Sequence, residues 1–172
     1  MAMTRIADEK KAAGENIIGL AAGEPDFDTP SHICKASVDA MNAGKTKYTT
    51  VDGIPELKDA VIAKFARDNN IAYDRENITI ATGGKQVLFN ALMATVNDGD
   101  EVIIPAPYWV SYPEIVRVAE GVPVILSCAE EDDFKLTPEV LAAAITPHSK
   151  WLILNSPSNL SLIHISEPTR RY

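Results

Sequence analysis

The residues with the clearest potential for chemistry lie in residues 78–89, ITIATGGKQVLF. Apolar residues 78–81 predict a strand that runs into the turn Gly83-Gly84 and then into a helix beginning at Lys85. A glycine turn at a helix N-terminus leaves backbone N–H groups free, and such groups bind anions, phosphate in particular. A Gly-Gly turn is also a common tight connection, so both interpretations stay open on this stretch alone.

Two further side chains could complete a binding site. Trp109 lies in the aromatic loop 105–109, and Asn159 lies in the polar loop 155–159. Each loop follows a predicted strand, and ligands of parallel sheets bind at the carboxyl ends of the strands. A flat aromatic cofactor with a phosphate would stack on the indole of Trp109 and hydrogen-bond the amide of Asn159. The alternatives are a packing role for Trp109 and a capping role for Asn159 within its own loop.

The elements that must position these residues follow an alternating order. From residue 78 onward, short β-branched runs alternate with helical patterns, which predicts an α/β fold with a mainly parallel sheet and helices on both faces. Before it, Thr29 and Pro30 predict a helix start, and a second helix is predicted from Pro55 with Leu57, Val61 and Phe65 as a core stripe. The strands predicted in the alternating part of the chain are residues 78–81, 101–104, 122–126 and 151–154.

Composition limits the classes of partner. The 172 residues include 24 acidic and 16 basic residues, a net charge of −8, which argues against nucleic acid or an anionic membrane as a general partner. No apolar run approaches the ~20 residues that a membrane helix requires. Cys34 and Cys128 do not form a disulfide framework, and the three histidines lack metal-ligand spacing. We therefore expect a cytoplasmic protein that binds a small molecule and no metal.

Five blocks of the sequence, in order and spacing, resemble the class I pyridoxal-phosphate aminotransferases, most closely the bacterial aspartate aminotransferase branch. The resemblance covers about residues 4–159. It implies a homodimer when full length, with pyridoxal 5′-phosphate as the cofactor and an amino acid and a 2-oxo acid as substrates. The blocks are AAGEPDFDTP, GKTKYTTVDGIPELKDAV, TGGKQVLFNAL, PAPYWVSYPE and LILNSPSN.

The resemblance implies roles for seven residues. Gly83, Gly84 and Lys85 match the phosphate cup, with Lys85 as part of the cup and not as the Schiff-base lysine. Trp109 would stack on the pyridine ring, and Asn159 would hydrogen-bond the phenolic oxygen, both also lying near the substrate. The remaining two roles belong to the Gly23 backbone, which would bind the substrate α-carboxylate, and to Tyr48, which would reach the phosphate of the neighbouring subunit.

The resemblance also implies a division of the chain. Residues 1–30 would lead into the large domain, and residues 31–159 would form the N-terminal part of the cofactor-binding large domain of fold-type I enzymes, which would be incomplete. Where the family continues with Pro-Thr-Gly after the Asn159 position, this chain has Leu160, Ser161 and Leu162. We interpret residues 160–172 as a tail foreign to the family.

The family's Schiff-base lysine, its aspartate partner of the pyridine nitrogen and its carboxylate-binding arginine all lie downstream of these blocks. We therefore predict no catalytic residue within this chain and expect the chain by itself to be inactive. The implied activity of the whole enzyme is amino transfer between L-aspartate and 2-oxoglutarate. Two alternatives stay open: an aminotransferase for aromatic amino acids or prephenate, and a non-catalytic α/β module that binds a phosphorylated ligand.

Overall fold

The computed structural model describes residues 2–18 and 27–156, so Gly23 and Asn159 lie outside the described residues. The chain divides into two compact units, residues 1–49 and 50–172. The predicted domain boundaries at residues 30 and 159 stay predictions. The helices and strands are α1 (Ala2–Ala12), α2 (Ser31–Asn42), α3 (Pro55–Asn69), α4 (Gly84–Thr95), β1 (Glu101–Ala106), α5 (Ser111–Val118), β2 (Val122–Ser127), α6 (Pro138–Ala144) and β3 (Ser149–Leu152).

The first unit contains α1 and α2. Helix α2 begins one residue later than predicted, because Pro30 has an extended ψ of 136° and therefore stands at the N-cap position. The carbonyl of Pro30 accepts hydrogen bonds from the backbone N–H groups of Ile33 (2.9 Å) and Cys34 (3.2 Å). The prediction of Thr29 as the cap is wrong, since no side chain caps this helix.

Helix α3 begins at Pro55 as predicted and ends at Asn69, where the C-cap residue Asn70 adopts the left-handed conformation with φ 55°. The predicted core stripe on this helix is wrong. Leu57 is 43% exposed, and Val61 and Phe65 are only half-buried. The buried residue of the helix is instead Lys58. An apolar helical stripe becomes core only where another element packs on it, and no described element covers Leu57 in this way.

Residues 78–81 are not a strand, which corrects the prediction. A strand requires a ladder of hydrogen bonds to a neighbour, whereas the ladder-like bond described here is a single one, from the N–H of Ile80 to the carbonyl of Asp52 at 2.9 Å. Ile78 is nevertheless buried. The segment is therefore an extended, partly buried lead into the glycine turn.

The second unit is built on a three-stranded sheet of order β2-β1-β3. Both pairings of β1 are parallel, with Glu101 opposite Val122 on one side and Ser149 on the other. The predicted strands at 101–104 and 122–126 are confirmed, although β1 extends to Ala106 and β2 to Ser127. The strand predicted at 151–154 is confirmed only at 151–152, because β3 begins at Ser149 and ends at Leu152. Parallel neighbours need crossover connections, and α5 and α6 provide elements for them.

The core lies on both faces of the central strand β1. Val102, Ile103 and Ile104 are at most 2% exposed. Because side chains alternate along a strand, Val102 and Ile104 share one face and join the core formed with α4 and α5. Ile103 points to the opposite face, where it lines an open groove of about 220 Å³ with Leu141 and Ile145. Helices therefore cover both faces, as the α/β prediction required.

Within residues 2–18 and 27–156, no helix has the length and apolarity needed to cross a membrane.

Candidate functional site

The glycine turn opens helix α4. Gly83 is the N-cap, with φ 84° and ψ 160°, and the helix starts at Gly84. The carbonyl of Gly83 accepts hydrogen bonds from the backbone N–H groups of Gln86 (3.2 Å) and Val87 (3.4 Å). Among the described residues, the N–H groups of Gly84 and Lys85 have no acceptor. Two adjacent free N–H groups at a helix N-terminus form a site for an anion.

The turn is also exposed to solvent, with open space beside its two glycines. Gly83, Gly84 and Lys85 are exposed, and a Cβ atom on either glycine would meet no atom within 4 Å. The turn is held from one side by Gln86, whose Oε1 accepts a hydrogen bond from the N–H of Thr82 at 2.6 Å. This role of Gln86 was not predicted from the sequence. The available signal was its place at the third helical position, where a Glu or Gln reaches back to the residues before the helix.

The structure brings the turn and the indole together. The Nζ atom of Lys85 lies 4.7 Å from the centroid of the Trp109 ring, a cation–π contact. Trp109 is half-buried and packs at the margin of the core. The cationic end of the turn and an aromatic face therefore lie within one small region, at the end of β1.

Tyr112 connects this region to the end of β3. Its ring meets Trp109 edge to face, with centroids 5.5 Å apart and planes inclined by 82°. Its hydroxyl donates a hydrogen bond to Oδ1 of Asn155 at 3.2 Å. Tyr112 is buried, and this burial raises the pKa of its hydroxyl above the usual value of 10.0. The hydroxyl therefore stays protonated and able to donate at neutral pH.

Three predicted site residues lie outside the described part of the second unit. Gly23 and Asn159 lie outside the described residues. Tyr48 belongs to the other unit, where its side chain is fully exposed. The roles of these residues stay predictions.

The donor set fits the cofactor that the resemblance implies. The free N–H groups of Gly84 and Lys85 suit a phosphate, the absence of side chains at the two glycines leaves room for it, and Trp109 offers a flat surface to a ring. A metal centre has no support in residues 2–18 and 27–156, which contain no metal-binding group of three or more His, Cys, Asp or Glu. Cys34 and Cys128 are free thiols.

Comparison with known proteins identifies a matching family model and several similar proteins. The sequence model of the family described as aminotransferase class I and II matches residues 15–161. The aspartate/prephenate aminotransferase of Cereibacter sphaeroides is 60% identical over 159 residues, which are 92% of this chain and 40% of that protein. The aspartate aminotransferase of Rhizobium meliloti (strain 1021) is 56% identical over 151 residues, which are 88% of this chain and 37% of that protein.

Solved structures agree with this fold. The aspartate aminotransferase of Rhizobium meliloti superposes with a TM-score of 0.86 at 54% identity, covering 92% of this chain and 40% of that one. The aspartate aminotransferase of Thermus thermophilus with maleate superposes with a TM-score of 0.88 at 47% identity, covering 92% of this chain and 41% of that one. The chain thus spans about 40% of the length of the relatives that it matches.

Proposed function

This chain belongs to the aminotransferase class I and II family, and on that premise we propose that the whole protein transfers the amino group of L-aspartate to 2-oxoglutarate with pyridoxal 5′-phosphate as cofactor. The observation that carries the proposal is the pair of free N–H groups at Gly84 and Lys85 beside the indole of Trp109. The names of the relatives, aspartate and aspartate/prephenate aminotransferases, support the choice of substrate.

The residues of the turn would hold the phosphate. The N–H groups of Gly84 and Lys85 donate to its oxygens, and the ammonium of Lys85 adds a charge-assisted contact. Trp109 stacks on the ring of the cofactor and excludes water from one face of it. When bound, the cofactor supplies an electron sink for the pair left behind by the α-proton of the substrate.

Three more assignments belong to the proposal. The Gly23 backbone binds the α-carboxylate of the substrate, and Asn159 hydrogen-bonds the phenolic oxygen of the cofactor. Tyr48 reaches the phosphate bound by the neighbouring subunit of a cytoplasmic homodimer. The full exposure of Tyr48 within its own unit supports a role for it between subunits.

Cofactor binding is the first test. Titration of the chain with pyridoxal 5′-phosphate is expected to quench indole emission, and Trp109→Ala is expected to raise the dissociation constant about 2- to 12-fold, the effect of about 0.5–1.5 kcal/mol of aromatic stacking. Inorganic phosphate should bind both forms equally, because the turn is unchanged. If Trp109→Ala binds the cofactor as tightly as the unchanged chain, the site is a simple phosphate binder and the assignment of Trp109 fails.

The substrate is tested on the full-length protein that carries this sequence. With the cofactor, L-aspartate and 2-oxoglutarate, we expect oxaloacetate and L-glutamate to form in equal amounts. A parallel assay with prephenate as the amino acceptor tests the second activity, which the name of the Cereibacter sphaeroides relative suggests. Binding of the cofactor without turnover of any amino donor would contradict the proposed activity while leaving the binding site intact.

A further inference from the structure

Tyr112 is a buried polar side chain that the proposed function does not use. It lies in the first turn of α5, between the loop that follows β1 and the segment that follows β3. Only 9% of its surface is exposed. Burial of a hydroxyl group is unfavourable unless the group forms a hydrogen bond. The contacts of Tyr112 therefore indicate which neighbours its ring and its hydroxyl hold in place.

The ring of Tyr112 fixes the inclination of Trp109. The two planes meet at 82° with centroids 5.5 Å apart, the edge-to-face arrangement that aromatic pairs prefer. The indole is contacted by the ammonium of Lys85 as well, 4.7 Å from its centroid. An indole that could rotate would present a variable surface to a planar ligand, whereas the buried edge contact with Tyr112 holds its plane.

The hydroxyl of Tyr112 reaches the other loop. It donates to Oδ1 of Asn155, which stands 43 residues later in the chain and follows β3. One side chain therefore couples the loops at the carboxyl ends of two neighbouring strands, β1 and β3. The first of these loops carries Trp109.

We propose that Tyr112 is a positioning residue for the cofactor ring: its ring holds the plane of Trp109, and its hydroxyl holds the Asn155 loop at the same edge of the sheet. The inference rests on the proposed function, because it assumes that a planar ring stacks on Trp109. It predicts that Tyr112 affects the binding of the ring and leaves the binding of the phosphate unchanged.

The test uses two ligands, pyridoxal 5′-phosphate and inorganic phosphate, on the 172-residue chain. The change Trp151→Phe makes Trp109 the only tryptophan, so its emission reports binding directly. In this background Tyr112→Phe removes the hydroxyl and keeps the ring. We expect the dissociation constant of pyridoxal 5′-phosphate to rise about 2- to 12-fold, the range that corresponds to the loss of one buried hydrogen bond. The constant for inorganic phosphate should stay within about twofold, because the bond does not touch the turn.

Tyr108→Phe is the matched control. Tyr108 is a half-buried tyrosine of the same loop region, and its hydroxyl has no partner among the described residues. The same substitution there should change neither dissociation constant. Asn155→Ala removes the acceptor from the other side of the bond, and with Tyr112→Phe it should raise the constant for pyridoxal 5′-phosphate less than the product of the two single effects.

The outcomes separate the two claims. If the unchanged chain fails to bind pyridoxal 5′-phosphate, the proposed cofactor site is wrong. If the unchanged chain binds it and Tyr112→Phe binds it equally well, Tyr112 does not position the site. A parallel rise in both dissociation constants overturns the inference as well, since it would indicate a general loss of structure. If Tyr112→Phe does not fold, Asn155→Ala alone gives the same decision by the same two constants.

Discussion

The two glycines of the turn have different reasons to lack a side chain. Gly83 has φ 84°, a conformation that an L-residue adopts only with strain, whereas Gly84 is the first residue of a helix. We therefore expect Gly83→Ala to lower the free energy of unfolding by about 1–3 kcal/mol, the cost of holding a non-glycine residue in this sparsely populated backbone region. Gly84→Ala should leave that energy unchanged or slightly higher, because Ala favours helices. Urea denaturation of both variants measures the difference.

The same pair of variants tests the anion site. A methyl group on Gly84 meets no protein atom within 4 Å, so it would occupy the open space next to the free N–H groups. Gly84→Ala should therefore weaken phosphate binding without loss of stability. Equal phosphate affinity in Gly84→Ala and the unchanged chain would place the anion elsewhere.

Lys85 contributes a charge at the turn and a cation–π contact with Trp109. Lys85→Met keeps much of the length and removes the charge, so we expect phosphate to bind about 2- to 10-fold more weakly, in line with the loss of a charge-assisted contact of moderate strength. Lys85→Arg keeps the charge and should retain most of the affinity. The measurement is a phosphate titration at low and high salt, and the loss should shrink at high salt because ions screen an exposed charge. A loss that is independent of salt would contradict a charge effect.

Among the elements, β1 is the centre of the core, because its side chains are buried on both faces of the sheet. Ile104 is fully buried in this strand, whereas Ile125, opposite it on β2, is 40% exposed. Ile104→Ala should therefore lower the free energy of unfolding by about 2–5 kcal/mol, the range for large-to-small changes in a core. Ile125→Ala is the matched control on the neighbouring strand and should cost clearly less. Thermal and urea unfolding provide the measurement, and equal losses would mean that β1 is not the centre of the core.

Local signals predicted the starts of α3 and α6 correctly, although the same kind of signal at Thr29-Pro30 misplaced the start of α2 by one residue. Helices α3 and α6 begin at Pro55 and Pro138, as expected for proline in the first helical turn, and Thr137 caps α6 by accepting a hydrogen bond from the N–H of Val140 at 3.3 Å. Contacts between residues far apart in the sequence were harder to predict. Residues 78–81 have the composition of a strand, but pairing depends on a neighbour that composition does not specify. The prediction that Leu57 is a core residue was wrong for the same reason, because burial depends on an element that packs against the helix.

The candidate site shows the same limit. The turn Gly83-Gly84 and its neighbour Trp109 could be predicted, because a glycine turn before a helix and an aromatic loop after a strand are local patterns. The bond from Tyr112 to Asn155 could not, since it joins residues 43 positions apart and depends on the order of the strands. Periodicity assigned Tyr112 only to the start of a helix.

At the scale of the whole molecule, some of the carboxylates of this acidic chain take part in hydrogen bonds that stabilise the fold. Within residues 2–18 and 27–156, four carboxylates accept hydrogen bonds that lower their pKa values. Glu101, the first residue of β1, accepts hydrogen bonds from the hydroxyl groups of Thr146 in the turn before β3 (2.6 Å) and of Ser149 at the start of β3 (3.0 Å). The four, each with the partner that contributes most, are Asp52 with Lys58, Asp59 with Arg75, Asp100 with the backbone of Asn97, and Glu101 with Thr146.

These carboxylates give the stability of the second unit a definite dependence on pH. The hydrogen bond from Thr146 holds the pKa of Glu101 below its usual value of 4.5, so in the folded state the carboxylate binds its proton only at lower pH than in the unfolded chain. Between the two values the unfolded chain binds more protons, and stability therefore rises with pH. The contribution of Glu101 is complete above pH 4.5 and is lost as the pH falls through the lowered pKa.

Glu101→Gln tests this dependence, because it removes the titrating group and keeps the shape of the side chain. The variant should be less stable than the unchanged chain at about pH 7, where the carboxylate is ionised, and the gap in melting temperature should narrow as the pH falls below 4.5 and through the lowered pKa of Glu101. Glu114→Gln is the matched control on the surface, where Glu114 forms an exposed ion pair with Arg117 on the same helix, so its effect should be small at every pH. A gap for Glu101→Gln that stays constant from pH 7 down to the onset of acid unfolding would mean that the bond acts through its geometry and not through the charge of the carboxylate.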